Sequence, residues 1–190
     1  MRKEMEDFDA KRELVIRLSR EVLKLSKAAI YSLHRSEVAV AFEQLTSAKL
    51  VITAIKKSLK IHAHLAEVGP YNEGLEEYVE ASCYYWFIEK GTIPTPAQIG
   101  VDLDTYLPGL CDLVGELVRK AINAAIKGDA ATALAIRTTV TEIYEELLLF
   151  DFRNTPLRRK FDSIKYSLEK LEDLALKLSL REGTGSLLKK

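Results

Sequence analysis

Two short stretches carry acidic residues at spacings that a helix turns into chemistry. In "LEEYVEA", residues 75–81, Glu77 and Glu80 lie three positions apart; in "CDLVGEL", residues 111–117, Asp112 and Glu116 lie four apart. Residues three and four apart are neighbours on a helix surface, and like charges there cost about 0.2–0.5 kcal/mol. Set face to face, the two pairs would make an all-oxygen site of the kind that hard cations such as Mg²⁺ or Mn²⁺ prefer. A cation held this way typically serves phosphoryl chemistry, neutralising charge on the phosphate and lowering the pKa of a bound water.

The surroundings bear on both pairs. On a helix over 72–90, Glu73, Glu76, Glu77 and Glu80 share one side, and Leu75, Val79, Ser82 and Trp86 take the other with Tyr78 nearby. Alone, that is a solvated face. Yet Tyr84 and Phe87 continue the acidic side one turn on, and Glu80 is the only charged residue between Tyr78 and Ile88. A helix apolar all round is buried all round. Glu80 is therefore expected to be at least partly buried, where a carboxylate needs a partner or a metal, with Glu73 and Glu76 as bystanders. Asp112 and Glu116 have Arg119 and Lys120 close by, and a surface ion-pair network explains them as well as a cation does; spacing leaves both readings open. A di-iron bundle would need Glu-x-x-His motifs, and none of His34, His62 and His64 follows a glutamate by three. Phosphate-loop, GxSxG and HExxH motifs are absent too. Cys83 and Cys111 form no CxxC pair and read as buried free thiols.

The elements that would position these carboxylates read as helix throughout. Of the 190 residues, 47% are apolar and 29% charged, enough for a buried core. Apolar positions recur near a 3.6-residue period over 8–33 (Phe8, Val15, Leu18, Val22) and 37–66 (Val38, Phe42, Leu45, Ile52). Gly69-Pro70 interrupts the pattern before the helix at 72–90. Thr95-Pro96-Ala97-Gln98 has the form of a capping box opening a short helix. Asp104 is expected to cap a helix that Gly128 stops near Lys127, Asp129 the next, to about Phe150, and Asn154 or Thr155 a last helix to about Leu180. The expected architecture is all-α: a single domain over 1–182 with about seven helices and a flexible tail at 183–190. No uninterrupted apolar run is long enough to span a bilayer, and the N-terminus is too polar for a signal peptide, so a soluble cytoplasmic protein with no membrane partner is expected. Residues 61–116 hold one basic side chain against ten acidic ones, and both flanking segments are net basic. That pattern suits a protein that holds a polyanion with some elements and a cation with others.

Four stretches carry a resemblance to a known family: "LSREVLKLSKAAIYSLHR" (18–35), "LEEYVEA" (75–81), "YLPGLCDLVGELVRKAIN" (106–123) and "LRRKFDSIKYSLEKLEDLALKLSLR" (157–181). In this order, over nearly the whole chain, they resemble the translin superfamily. EYVEA and DLxGEL are similar only to its translin-associated factor X branch. The resemblance implies seven helices assembled into an octameric shell that encloses RNA, and a metal-dependent endoribonuclease whose catalytic carboxylates match Glu77, Glu80 and Asp112, with Glu116 in the same cluster. It implies Mg²⁺ or Mn²⁺ as cofactor, RNA (with single-stranded DNA as a second polyanion) as ligand, and a homo-oligomer, since the chain lacks a long central insertion. A non-catalytic RNA- or single-stranded-DNA-binding shell is the alternative. His34, Arg35, Lys56, Lys57 and Lys60 are the basic residues proposed to touch RNA, and "RRK" at 158–160 is open to the same role or to pairing at a subunit interface.

Overall fold

The computed structural model describes residues 2–59 and 69–187, and these form seven helices with no strand. In chain order they are α1 (Arg2–His34), α2 (Val38–Leu59), α3 (Gly69–Lys90), α4 (Pro96–Ile99), α5 (Leu103–Ile126), α6 (Ala130–Leu148) and α7 (Pro156–Leu187). The chain divides into two compact units, Met1–Leu110 and Cys111–Lys190, with the boundary inside α5.

In the first unit α1, α2 and α3 pack pairwise. The buried stripe on α1 is Val15, Ser19, Val22, Ser26, Ala29 and Leu33; that on α2 is Ala41, Leu45, Ala48, Ile52 and Ile55. Both step by alternating threes and fours, the seam along which helices pack at small angles. Ser36, with φ 63°, makes the left-handed turn from α1 to α2. Thr95 completes the capping box of α4 with Gln98, and Gly100 closes it at φ 86°. α5 starts two residues earlier than expected, so the Thr105 amide in its first turn bonds Asp102 Oδ1 at 2.8 Å. Asp102, not Asp104, is the cap; Asp104 lies within the first turn. Tyr106 donates its hydroxyl to the Pro94 carbonyl at 2.7 Å, fastening α5 to the preceding connection.

In the second unit the buried residues of α5 (Leu113, Val114, Leu117, Val118, Ala121), α6 (Ala133, Ile136, Val140, Ile143, Leu147) and α7 (Phe161, Ile164, Leu171, Ala175) keep helical spacing. Gly128 turns the chain at φ 83°, and Asp129 Oδ1 accepts from the Thr132 amide at 3.0 Å. Tyr144 stacks on Phe161, with ring centroids 5.4 Å apart. Thr155 caps α7 through the Arg158 amide, and α7 runs on to Leu187, past the expected end near Leu180.

α2 is, among the described residues, one helix long and apolar enough to cross a membrane. Uninterrupted runs did not reveal this because Glu43 and Lys49 divide it. Its inner stripe packs within the first unit, while Val40, Phe42 and Leu50 stand outward, exposed by 43%, 55% and 67%.

Cys83 and Cys111 are free and buried, as expected. Burial is the main cause that pushes each thiol up from 9.0 to about 12. The thiolate is the reactive form, so at pH 8 both cysteines are expected to resist an aromatic disulfide reagent for hours and to react within minutes in guanidinium. The sign also fixes the alkaline response. Unfolded thiols lose protons near pH 9 and folded ones near 12, so stability falls as pH rises through that interval.

Candidate active site

α3 places Glu80 in its buried turn. The residue is 9% exposed, between Val79 and Ala81 at 0% and one turn from Tyr84 at 1%. Its charge is felt at Cys83, whose thiol it helps to raise. Glu77, one turn earlier, has a side chain 19% exposed with Lys27 Nζ of α1 at 4.0 Å from Oε2. Glu73 is exposed and Glu76 half-buried. Of the four glutamates only Glu80 is buried, because it lies in the sealed turn between Tyr78 and Tyr84; Glu76 and Glu77 are both half-buried, so depth does not set Glu77 apart from Glu76.

On α5 Asp112 and Glu116 are half-buried. Asp112 Oδ2 accepts from Lys160 Nζ of α7 at 2.5 Å, and Glu116 Oε2 lies 3.9 Å from Arg119 Nη1. Lys120, expected as a second partner, is half-buried and its pKa is lowered, chiefly by that burial. Among the described residues, no three His, Cys, Asp or Glu side chains are gathered as ligands for one ion.

His34 Nδ1 is 3.2 Å from the Tyr84 hydroxyl. Arg35 makes a two-pronged bond to Glu37, at 3.0 and 2.8 Å, and this raises its pKa. Lys56 donates to the Gly100 carbonyl at 3.0 Å. Lys57 is exposed in the last turn of α2. Lys60, like His62 and His64, lies outside the described residues. Within RRK, Arg158 pairs with Asp162 along its own helix, whereas Lys160 bonds across to α5. Sequence reasoning did not find Lys27 and Lys160 as partners of the candidate acids; each is distant in sequence from the acid it meets, and only packing joins them.

The helices define an all-α protein with one candidate carboxylate pair on α3 in the first unit and another on α5 in the second. The Translin family sequence profile matches residues 10–182, and the chain belongs to that family. It is 33% identical to mouse translin over 74% of this chain and 68% of that protein. To rat translin-associated protein X it is 25% identical, over 94% of this chain and 76% of that one. A shorter match to chicken translin, at 35% identity, covers 45% of this chain and only 39% of that protein. The crystal structure of apo NeC3PO aligns with a TM-score of 0.87 at 29% identity over 93% of this chain and 94% of that one. The structure of an AfC3PO–duplex RNA complex aligns with a TM-score of 0.82 at 26% identity, over 95% of both chains.

Proposed function

We propose that the chain is a Mg²⁺- or Mn²⁺-dependent endoribonuclease that cuts RNA phosphodiester bonds inside a shell built from copies of itself. The observation that carries this is the burial of Glu80 one turn from Glu77, which puts a carboxylate where apolar packing alone would exclude it. The donor chemistry fits: Glu77, Glu80, Asp112 and Glu116 offer carboxylate oxygens alone, which a hard divalent cation accepts without thiol or imidazole. When bound, the cation polarises the scissile phosphate and lowers the pKa of an attacking water. The chain itself supplies the rest. α3 and α5 hold the carboxylates on rigid helical backbone, and Lys27, Arg119 and Lys160 offset negative charge that would otherwise repel a phosphate backbone.

Membership of the translin family, and a relative whose structure holds duplex RNA, support RNA as the ligand. Single-stranded DNA is a second candidate ligand of the same charge. The outward Val40, Phe42 and Leu50 of α2, with Leu149 and Phe150 after α6, support burial between copies, and the family resemblance supplies eight as the number. A cytoplasmic location goes with this role.

The test is cleavage of end-labelled RNA with Mg²⁺, Mn²⁺ or chelator, by the wild type and by Glu77→Ala/Glu80→Ala and Asp112→Ala. Metal-dependent cutting that both variants lose is expected; undiminished cutting by either one sinks the assignment. Light scattering on the same samples is expected to give a mass several times that of the 21.4 kDa chain.

One observation favours the second reading, a shell that binds RNA without cutting it. Glu77, Asp112 and Glu116 each have a basic side chain within 4.0 Å, and no three ligands are gathered among the described residues. RNA bound with a steep salt dependence, yet intact with either metal, would establish that reading.

A further inference from the structure

Of the three basic residues that open α7, Arg158 and Arg159 are exposed and Lys160 alone is half-buried. Its ammonium lies 2.5 Å from Asp112 Oδ2, with the two side chains 30% and 38% exposed. Forty-eight residues separate the pair, so the contact is tertiary and not the byproduct of helical spacing that Arg158 and Asp162 make. Around Asp112, Lys160 is the cation the fold itself provides, while Glu116 one turn on adds a second negative charge.

We propose that Lys160 is a resident counter-ion that competes with the divalent cation for Asp112. This rests on the metal reading of the acidic residues given above. A divalent cation bonds a carboxylate oxygen at about 2.0–2.1 Å for Mg²⁺. An ammonium already on Oδ2 takes one lone pair of the carboxylate and repels the incoming charge. A metal on Asp112 therefore binds more weakly while Lys160 stays on Oδ2. Lysine suits this competition, being a compact point charge on a flexible four-carbon stem; arginine would grip the carboxylate with a rigid two-pronged fork. The metal-free protein keeps Asp112 neutralised beside Glu116, at the expense of a weaker apparent affinity for the metal.

The experiment measures Mn²⁺ affinity directly, from the electron paramagnetic resonance signal of free Mn²⁺, without RNA and without turnover. Wild type, Lys160→Met, Lys160→Gln, Lys160→Arg and Asp112→Asn are compared, with circular dichroism to show that each is folded. Removing the ammonium is expected to tighten Mn²⁺ binding by about fivefold, the factor that a partly exposed ion pair represents. Lys160→Gln should match Lys160→Met, and Lys160→Arg should bind no tighter than wild type. Unchanged or weaker binding in both neutral variants, while wild type binds and Asp112→Asn does not, overturns the competition and leaves the metal site standing. No Mn²⁺ binding by wild type, or binding that Asp112→Asn leaves unchanged, removes the metal reading and the competition with it.

Discussion

Replacing Gly109 by alanine is expected to destabilise the chain by about 2 kcal/mol or more, although the same change in an unobstructed helix stabilises by about 1 kcal/mol. Gly109 lies in α5 just after Pro108, at a point where its backbone meets α3 directly. A Cβ at that position would sit 2.6 Å from the Glu76 carbonyl oxygen and 2.7 Å from Val79 Cβ. Neither atom can swing away by changing a rotamer, so the helices must part, and overpacking of this kind costs roughly 1–3 kcal/mol or more. Gly115 supplies the control. It stands further along the same helix, where a Cβ would meet no atom within 4 Å, so Gly115→Ala is expected to raise stability by up to about 1 kcal/mol. Thermal unfolding followed by circular dichroism should show opposite shifts, with a midpoint lower by about 4–8 °C for Gly109→Ala at roughly 2–4 °C per kcal/mol. A midpoint for Gly109→Ala at or above wild type would show that α3 and α5 do not approach this closely.

That contact also marks where sequence reading ends. Periodicity identifies the helices but only part of their buried stripes: on α2 Leu45 and Ile52 are buried as expected, whereas Phe42 stands outward and the alanines Ala41 and Ala48 fill the stripe instead. The burial of Glu80 is legible: an all-apolar turn leaves a helix no wet side. Asp102 and Asp104 are two residues apart, both able to cap, and only the register of the first turn selects between them; the Thr105 amide bonds Asp102.

Tertiary pairings have no such local signature. Lys160 reads in sequence as one of three adjacent basic residues, and the turn of α7 alone decides that it faces Asp112 while Arg158 faces its own helix. Lys27 likewise lies far before Glu77 in the chain. The paired state of Arg35 and Lys56 is hidden too: Arg35 is taken by Glu37 two residues on, Lys56 by a carbonyl of the α4 connection. Assigning a lysine or arginine to RNA is a statement about charge, and charge is blind to which partner a fold brings within reach.

Glu80→Gln is expected to lower RNA cleavage by about a thousandfold while leaving the fold intact. The amide has nearly the shape of the carboxylate and keeps hydrogen-bonding capacity, so the aromatic turn that encloses it need not repack. What it loses is the negative charge, and with it most of its strength as a ligand for a hard cation. A cation contributes several kcal/mol of transition-state stabilisation, and each ~1.36 kcal/mol is a factor of ten in rate. Glu73→Gln is the matched control: the same chemical change on the same helix at an exposed position, where it should leave the rate within about twofold, as surface substitutions are normally mild. Depth is the variable that separates the two, because a glutamate kept at 9% exposure has given up hydration that an exposed one retains. If Glu80→Gln cuts RNA as fast as the wild type, the carboxylate serves packing or an internal ion pair instead, and the shell that binds without cutting becomes the better account.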